Sequence, residues 1–177
     1  MDKIGLLDEA YGTGFWEETD YCQRAKKAGY LCAAAKGAYV YHLGHKTFES
    51  FEKGRVSDLF ERNKELFVSR WGKILQIVYV IFKKNIGPKD TNAMLKFARE
   101  GHMVYLFFKS SAQIENGIEH GSIRKFKTPD WWFYIFASGK ILIRHTGKKR
   151  FNRIFTDNLG FARQLKSFNR NLQVEVI

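Results

Sequence analysis

Apolar residues recur along this chain in two rhythms, and the change between them comes near residue 72. From Glu17 to Ala28, Tyr21, Cys22, Ala25 and Ala28 fall on one side at helical spacing, and Gly29 stands where a helix C-terminal glycine belongs. From Ser50 to Trp71 a longer amphipathic helix is predicted, with Phe51, Leu59, Phe60, Leu66, Phe67 and Trp71 as its stripe and Gly72 as its stop. Between them, Leu31–Ala35 and Tyr39–His42 are apolar runs of strand length, parted by Lys36-Gly37. Residues 1–15, punctuated by Gly5, Gly12 and Gly14, read as loop and turn.

Beyond Gly72 the pattern alternates. Lys73–Phe82, Met103–Phe108, Ser122–Phe126, Arg153–Thr156 and Gln173–Ile177 read as strands. Asp90–Glu100, with Ala93, Met94, Phe97 and Ala98 on one face, Trp132–Arg144 and Leu159–Phe168 read as helices. Such alternation predicts an α/β fold with a parallel sheet. The last strand has no helix after it, so the sheet is expected to be cut short. The expected organisation is a first unit of helices with short strands over residues 1–72 and a parallel-sheet unit over 73–177.

Composition supports a packed core: 45% of the 177 residues are hydrophobic and 16% aromatic, with only two prolines, which excludes a disordered tail. Charge sharpens the division. Residues 1–72 carry 11 Lys+Arg against 11 Asp+Glu, whereas residues 73–177 carry 19 against 7 and so hold the whole +12 excess. A basic half points to an anionic partner: nucleotide phosphates, lipid headgroups or nucleic acid. The nucleic-acid reading is set aside because no recognition motif accompanies the charge. Cys22 and Cys32 fit no zinc spacing and read as free thiols in a reducing compartment. The N-terminus lacks a signal-peptide pattern, and the longest apolar run, Ile74–Phe82, is interrupted by Gln76 and falls short of the ~20 residues that span a bilayer. The expected location is cytoplasmic, with peripheral association at the inner face of the membrane.

The candidate chemistry lies in Glu17, Glu18 and Asp20, three carboxylates within four residues at a predicted helix start. On spacing alone these acids complement the helix dipole and cap free amides. The functional alternative is general base catalysis, in which a carboxylate within ~3 Å of a hydroxyl removes its proton as a new bond forms. Phe15-Trp16, just before the acids, would stack on a sugar face or simply pack in the core.

Four segments together resemble the C-terminal part of a family-2, GT-A-fold glycosyltransferase. They are Ile4-Gly5-Leu6-Leu7-Asp8-Glu9; Trp16-Glu17-Glu18-Thr19-Asp20 continuing through Arg24 to Gly29-Tyr30; Ala38-Tyr39-Val40-Tyr41-His42; and Asn63-Lys64-Glu65-Leu66-Phe67-Val68-Ser69-Arg70-Trp71-Gly72. The last has Arg70 where the family usually has lysine. They stand in the family's order over about 70 residues. The resemblance implies an inverting sugar transfer from a nucleotide-sugar donor to the hydroxyl of a glycan or lipid-linked acceptor, in polysaccharide, lipopolysaccharide or glycoconjugate synthesis. It implies that Glu18 is the general base and that Glu17 binds acceptor hydroxyls or holds the base. Asp20 would support the helix start or pair with Arg24, and Trp16 would meet the acceptor. His42 would help bind the metal, and His45 and Lys46 would touch the diphosphate. The family holds Mg²⁺ or Mn²⁺ with Asp-x-Asp, which occurs nowhere in this chain. The chain alone is therefore expected not to bind a sugar nucleotide in the usual way, its donor-binding strands preceding residue 1.

More weakly, residues 73–177 resemble the N-terminal Rossmann-like half of a GT-B glycosyltransferase, through Ile74–Phe82, Ile86-Gly87-Pro88, Ala98-Arg99-Glu100-Gly101-His102-Met103-Val104 and Ile154-Phe155-Thr156-Asp157-Asn158. The loop lacks the usual glycine cluster, and no catalytic residue carries over. One further feature is Trp131-Trp132-Phe133-Tyr134-Ile135-Phe136, followed by Lys140, Arg144, Lys148, Lys149, Arg150 and Arg153. It reads either as a helix packed on the sheet with a solvated basic end or as an interfacial helix on anionic lipid. Besides part of an enzyme, the chain is therefore readable as a non-catalytic basic module on a membrane or polyanion, or as an inactive remnant.

Overall fold

The computed structural model describes residues 3–33, 35, 37–41, 51, 52, 54–115, 118–145 (His145 in backbone only) and 150–177. The chain divides into two compact units, Met1–Lys73 and Ile74–Ile177.

The first unit contains a 3₁₀ turn at Glu9–Tyr11 and two helices, α1 (Glu17–Lys27) and α2 (Arg55–Trp71). Helix α1 stops in a Schellman arrangement. The Tyr30 amide donates to the Ala25 carbonyl and the Gly29 amide to that of Lys26, both at 3.0 Å, while Gly29 adopts φ 88°. Helix α2 starts later than the apolar stripe predicts, behind Gly54 at φ 99°. The two strands expected over 31–42 do not form among the described residues there, and Leu31, Tyr39 and Val40 are 88, 86 and 79% exposed. Apolar alternation marks a strand only where a partner strand accepts its hydrogen bonds; among the described residues of this unit there is none. His42 lies outside the described residues.

The second unit is a parallel α/β sheet. Strands β1 (Gln76–Ile81), β3 (Met103–Lys109), β5 (Ile123–Thr128), β6 (Arg153–Thr156) and β7 (Val174–Val176) lie in the order β5-β3-β1-β6-β7, with every neighbouring pair parallel. The pairing registers Gln76 with Met103 and Ile77 with Arg153. A separate parallel pair that periodicity did not predict joins β2 (Asn85–Ile86) to β4 (Gln113–Ile114). Two-residue strands are too short to carry an alternation signal.

Helix α3 (Pro88–Arg99) packs through Met94 and Ala98 on the face that carries Ile77, Tyr79, Ile81, Val104 and Leu106. Helices α4 (Phe133–His145) and α5 (Leu159–Phe168) pack on the other face against Val78, Val80, Tyr105, Phe107 and Ile154. The central strand β1 is covered on both sides, which is why it reads as a near-continuous apolar run. The winding proceeds outward from β1 through α3, returns over the sheet by α4, and continues through β6 and α5 to β7. This is a doubly wound, partial Rossmann-like unit whose strand order reverses between β1 and β6.

Candidate functional site

The acids of the first unit sit behind an unusual backbone. Phe15 and Trp16 both adopt left-handed conformations, φ 67° and 76°, although neither is glycine. For an ordinary side chain this costs about 1–2 kcal/mol per residue, so surrounding contacts must impose it. Asn63 on α2 supplies them. Its side-chain amide is fully buried and donates to the carbonyls of Tyr11 (2.7 Å), Gly14 (2.7 Å) and Phe15 (3.1 Å). Arg62 holds the Asn63 oxygen at 3.0 Å and the Ala10 carbonyl at 2.7 Å. The Trp16 ring lies on α2, 5.0 Å from Phe67 and 5.7 Å from Phe60 between centroids. The core-packing reading of Trp16 thus describes its ring. Its indole N–H is buried without a partner among the described residues.

Asp20 is the hub of the unit. It is 1% exposed and accepts hydrogen bonds from the Trp71 indole at 2.8 Å, Arg24 Nε at 2.8 Å and the Tyr11 hydroxyl at 3.2 Å. The Arg70 guanidinium is 3.6 Å away. Burial pushes the Asp20 carboxyl up, but the hydrogen bonds from Trp71, Arg24 and Tyr11 outweigh it and leave the group below the ordinary carboxylate range. Burial, reinforced by the Asp20 charge, pushes Tyr11 up to about 12. Arg24 also donates to the carbonyls of Ile4 and Leu6, and Arg70 reaches Asp8 at 2.6 Å. Asp8 caps the 3₁₀ turn at Ala10 and is held below its usual value by that backbone bond and then by Arg70.

The two glutamates differ. Glu18 is exposed on the first turn of α1, with the Thr19 hydroxyl 3.4 Å from its Oε1. Glu17 is half-buried, and its Oε2 is shielded from water with no partner among the described residues. A depression of about 500 Å³ opens beside Phe15, lined also by Gly54, Val56, Ser57, Phe60 and Glu61; none of the three acids lines it. His42, His45 and Lys46 lie outside the described residues. Among the described residues, no group of three or more His, Cys, Asp or Glu side chains is arranged to hold a metal ion. Cys22 and Cys32 are free thiols.

The pairing of Asp20 with Arg24 expected from the sequence forms at 2.8 Å; that Asp8, Asn63 and Trp71 join the same network was not foreseen from the sequence. The signal for Asn63 was available: an amide flanked by apolar helix positions is a side chain that needs buried carbonyls.

In the second unit the strand-order reversal places the loop after β1 beside the loop after β6, where open α/β sheets commonly bind ligands. Here three backbone donors are already used. The amides of Phe82 and Lys83 both donate to Asp157 at 2.8 Å, and that of Gly87, at the start of α3, donates to Asp90 at 3.1 Å. Asp90 also pairs with Lys83 at 2.7 Å. His102 lies at the opposite end of the sheet, ahead of β3, half-buried against Phe97; burial lowers its pKa. Comparison with protein-family models, with curated proteins and with solved structures gives no match.

Proposed function

We propose that the first unit is the acceptor-side part of an inverting hexosyltransferase in which Glu18 is the general base. One observation carries the reading. Three of the four segments that resemble the transferase family, up to 62 residues apart in sequence, converge on one hydrogen-bond network centred on the buried Asp20 and Asn63. That network consumes Asp8 and Asp20 and leaves Glu18 as an exposed carboxylate on a rigid helix start. In the proposed step Glu18 takes the acceptor hydroxyl proton. The oxygen forms a bond to the anomeric carbon from the side opposite the leaving group, and the bond to the nucleoside diphosphate breaks with inversion. Glu17, whose Oε2 is buried with no partner among the described residues, orients an acceptor hydroxyl. Asp20 is a positioning residue.

Donor and divalent metal belong to the complete enzyme, whose Asp-x-Asp is not in this sequence. Residues 73–177 are proposed as the Rossmann-like half of a second transferase, a reading that the doubly wound order supports. The location that goes with both is the cytoplasmic side of a membrane.

The test uses a polypeptide carrying donor-binding strands ahead of residue 1. Glu18→Gln is expected to lower transfer by about 10²–10⁴-fold with donor affinity unchanged; undiminished turnover would sink the base assignment. Calorimetric titration of the present chain with nucleotide sugars and Mn²⁺ is expected to give no heat of binding, and a saturable isotherm would refute the incomplete-donor-site reading.

A further inference from the structure

Helix α4 is apolar on two opposite sides. Phe133, Ala137 and Ile141 follow at i, i+4 and i+8 and are completely buried on the sheet. The opposite side carries Ile135, Gly139, Leu142 and Ile143, with Trp131 one turn ahead of Ile135. It faces solvent: Trp131 is 81% exposed, Ile135 56%, Ile143 74%, and neighbouring Trp132 41%. A helix that is apolar all round is ordinarily buried all round. Contiguous exposed apolar surface on a soluble unit marks a contact surface.

The charge around this face selects the occupant. No Asp or Glu occurs between Trp131 and Thr156, while six Lys or Arg do. Lys140 and Arg150 are exposed, as is Arg124 on the edge strand β5, where it shares the α4 side of the sheet with Tyr105 and Phe126. Two of the six do not serve this face: the Arg144 guanidinium is drawn over Tyr105 and Phe151 at 4.8 and 5.0 Å, and Arg153 pairs with Glu175 at 2.7 Å and lies over Phe97 and Phe155 on the α3 side of the sheet. The nearest acid, Asp130, is tied to the Ser110 hydroxyl and the Ser111 amide, both at 3.1 Å. A second copy would bring two strongly basic units together, which repulsion opposes. An anionic surface is attracted instead, and tryptophans favour the boundary between headgroups and acyl chains. At 13 residues, α4 is too short to cross a bilayer, and among the described residues no helix is long and apolar enough to do so.

We propose that α4 lies in the plane of an anionic phospholipid surface, with Trp131, Ile135, Leu142 and Ile143 inserted between headgroups and the basic rim held at the phosphates. The substituted side chains are exposed, so the core of the unit is left intact.

The test is co-sedimentation of the whole chain with phosphatidylcholine vesicles and with vesicles that also contain phosphatidylglycerol, without any sugar donor, so that its result is independent of glycosyl transfer. The chain is expected to bind the anionic vesicles, more weakly at high salt, with a blue shift in tryptophan emission. The double variant Trp131→Ser, Ile143→Ser is expected to bind about tenfold more weakly or worse with its circular dichroism unchanged, and Lys140→Glu to weaken binding to the anionic vesicles alone. Undiminished binding by the double variant would overturn the proposal, as would absence of binding by the native chain. So would concentration-dependent dimerisation without vesicles that the same substitutions abolish, since the face would then belong to a second copy.

Discussion

The two units reach a defined structure by opposite means. Among the described residues of the first unit, only Tyr11, Ala25 and Phe67 are buried apolar side chains, and the chain is fixed instead by Asp20, Asn63, Arg24 and Arg70 acting on loops far away in sequence. The second unit buries two apolar clusters on the faces of a sheet, and its polar bonds merely trim the ends. Apolar packing is non-directional and tolerates rearrangement, whereas a buried hydrogen-bond network accepts one geometry only. A strained Phe15-Trp16 pair can be held by the second kind of design, and a chemical site needs that kind.

The sharpest way to break this contrast is to remove the centre of each unit. Asp20→Ala strands Trp71, Tyr11 and Arg24 and is expected to cost the first unit about 3–5 kcal/mol. Phe107→Ala, which leaves a cavity between the sheet and α4, is expected to cost the second unit about 3–5 kcal/mol. Hydrogen exchange read unit by unit checks both. The contrast fails if Asp20→Ala leaves the protection of α1 and α2 unchanged.

Asn63→Ala is a smaller perturbation. It leaves the carbonyls of Tyr11, Gly14 and Phe15 without their shared donor and is expected to cost about 1–3 kcal/mol. Because it frees the left-handed pair, Trp16 should lose its fixed contact with Phe67, visible as a shift in near-ultraviolet circular dichroism. Asn63→Asp, which keeps the size but not the donors, should do no better.

Protonation gives the smallest effects and separates the units by pH. His102 in the second unit has its pKa lowered by burial, so its contribution is present above the unfolded value of about 6.5 and is lost as pH falls below it. Asp8 and Asp20 in the first unit also have lowered values, so their contribution is present above an unfolded value of about 3.9 and is lost only in stronger acid. Acid should therefore loosen the strands around His102 before the network around Asp20. In alkali the units behave alike: burial pushes Tyr11 and Tyr79 up to about 12, so stability is present below pH ~10 and is lost as pH rises through the folded values. Exchange protection across a pH series checks the order.

Much of the fold was legible. The helices read over 17–28 and 90–100, which form over Glu17–Lys27 and Pro88–Arg99, the strands β1 and β3, and the alternation that made the second unit a parallel sheet follow from periodicity, because a buried central strand and an amphipathic helix leave different spacings in the sequence. The apolar runs over 31–41 were misread because strand propensity is local while strand pairing is not. Trp16 was legible as an aromatic beside acids, but not as a residue held left-handed over Phe67 by an asparagine on another helix. The outward apolar side of α4 was legible only as one of two readings. Periodicity cannot say which side of a helix the sheet will cover when both sides are apolar.

By itself the sequence determined the α/β class, the charge division between the halves and the presence of three acids at a helix start. Those properties depend on spacings within a turn or two of chain. Only the tertiary structure decided that Asp20 is enclosed by Tyr11, Arg24 and Trp71 while Glu18 stays in solvent, and that Asp157 fills the amides at the sheet's reversal point. Each of these outcomes joins residues up to 75 positions apart, and a contact of that kind exists only once the intervening chain has packed.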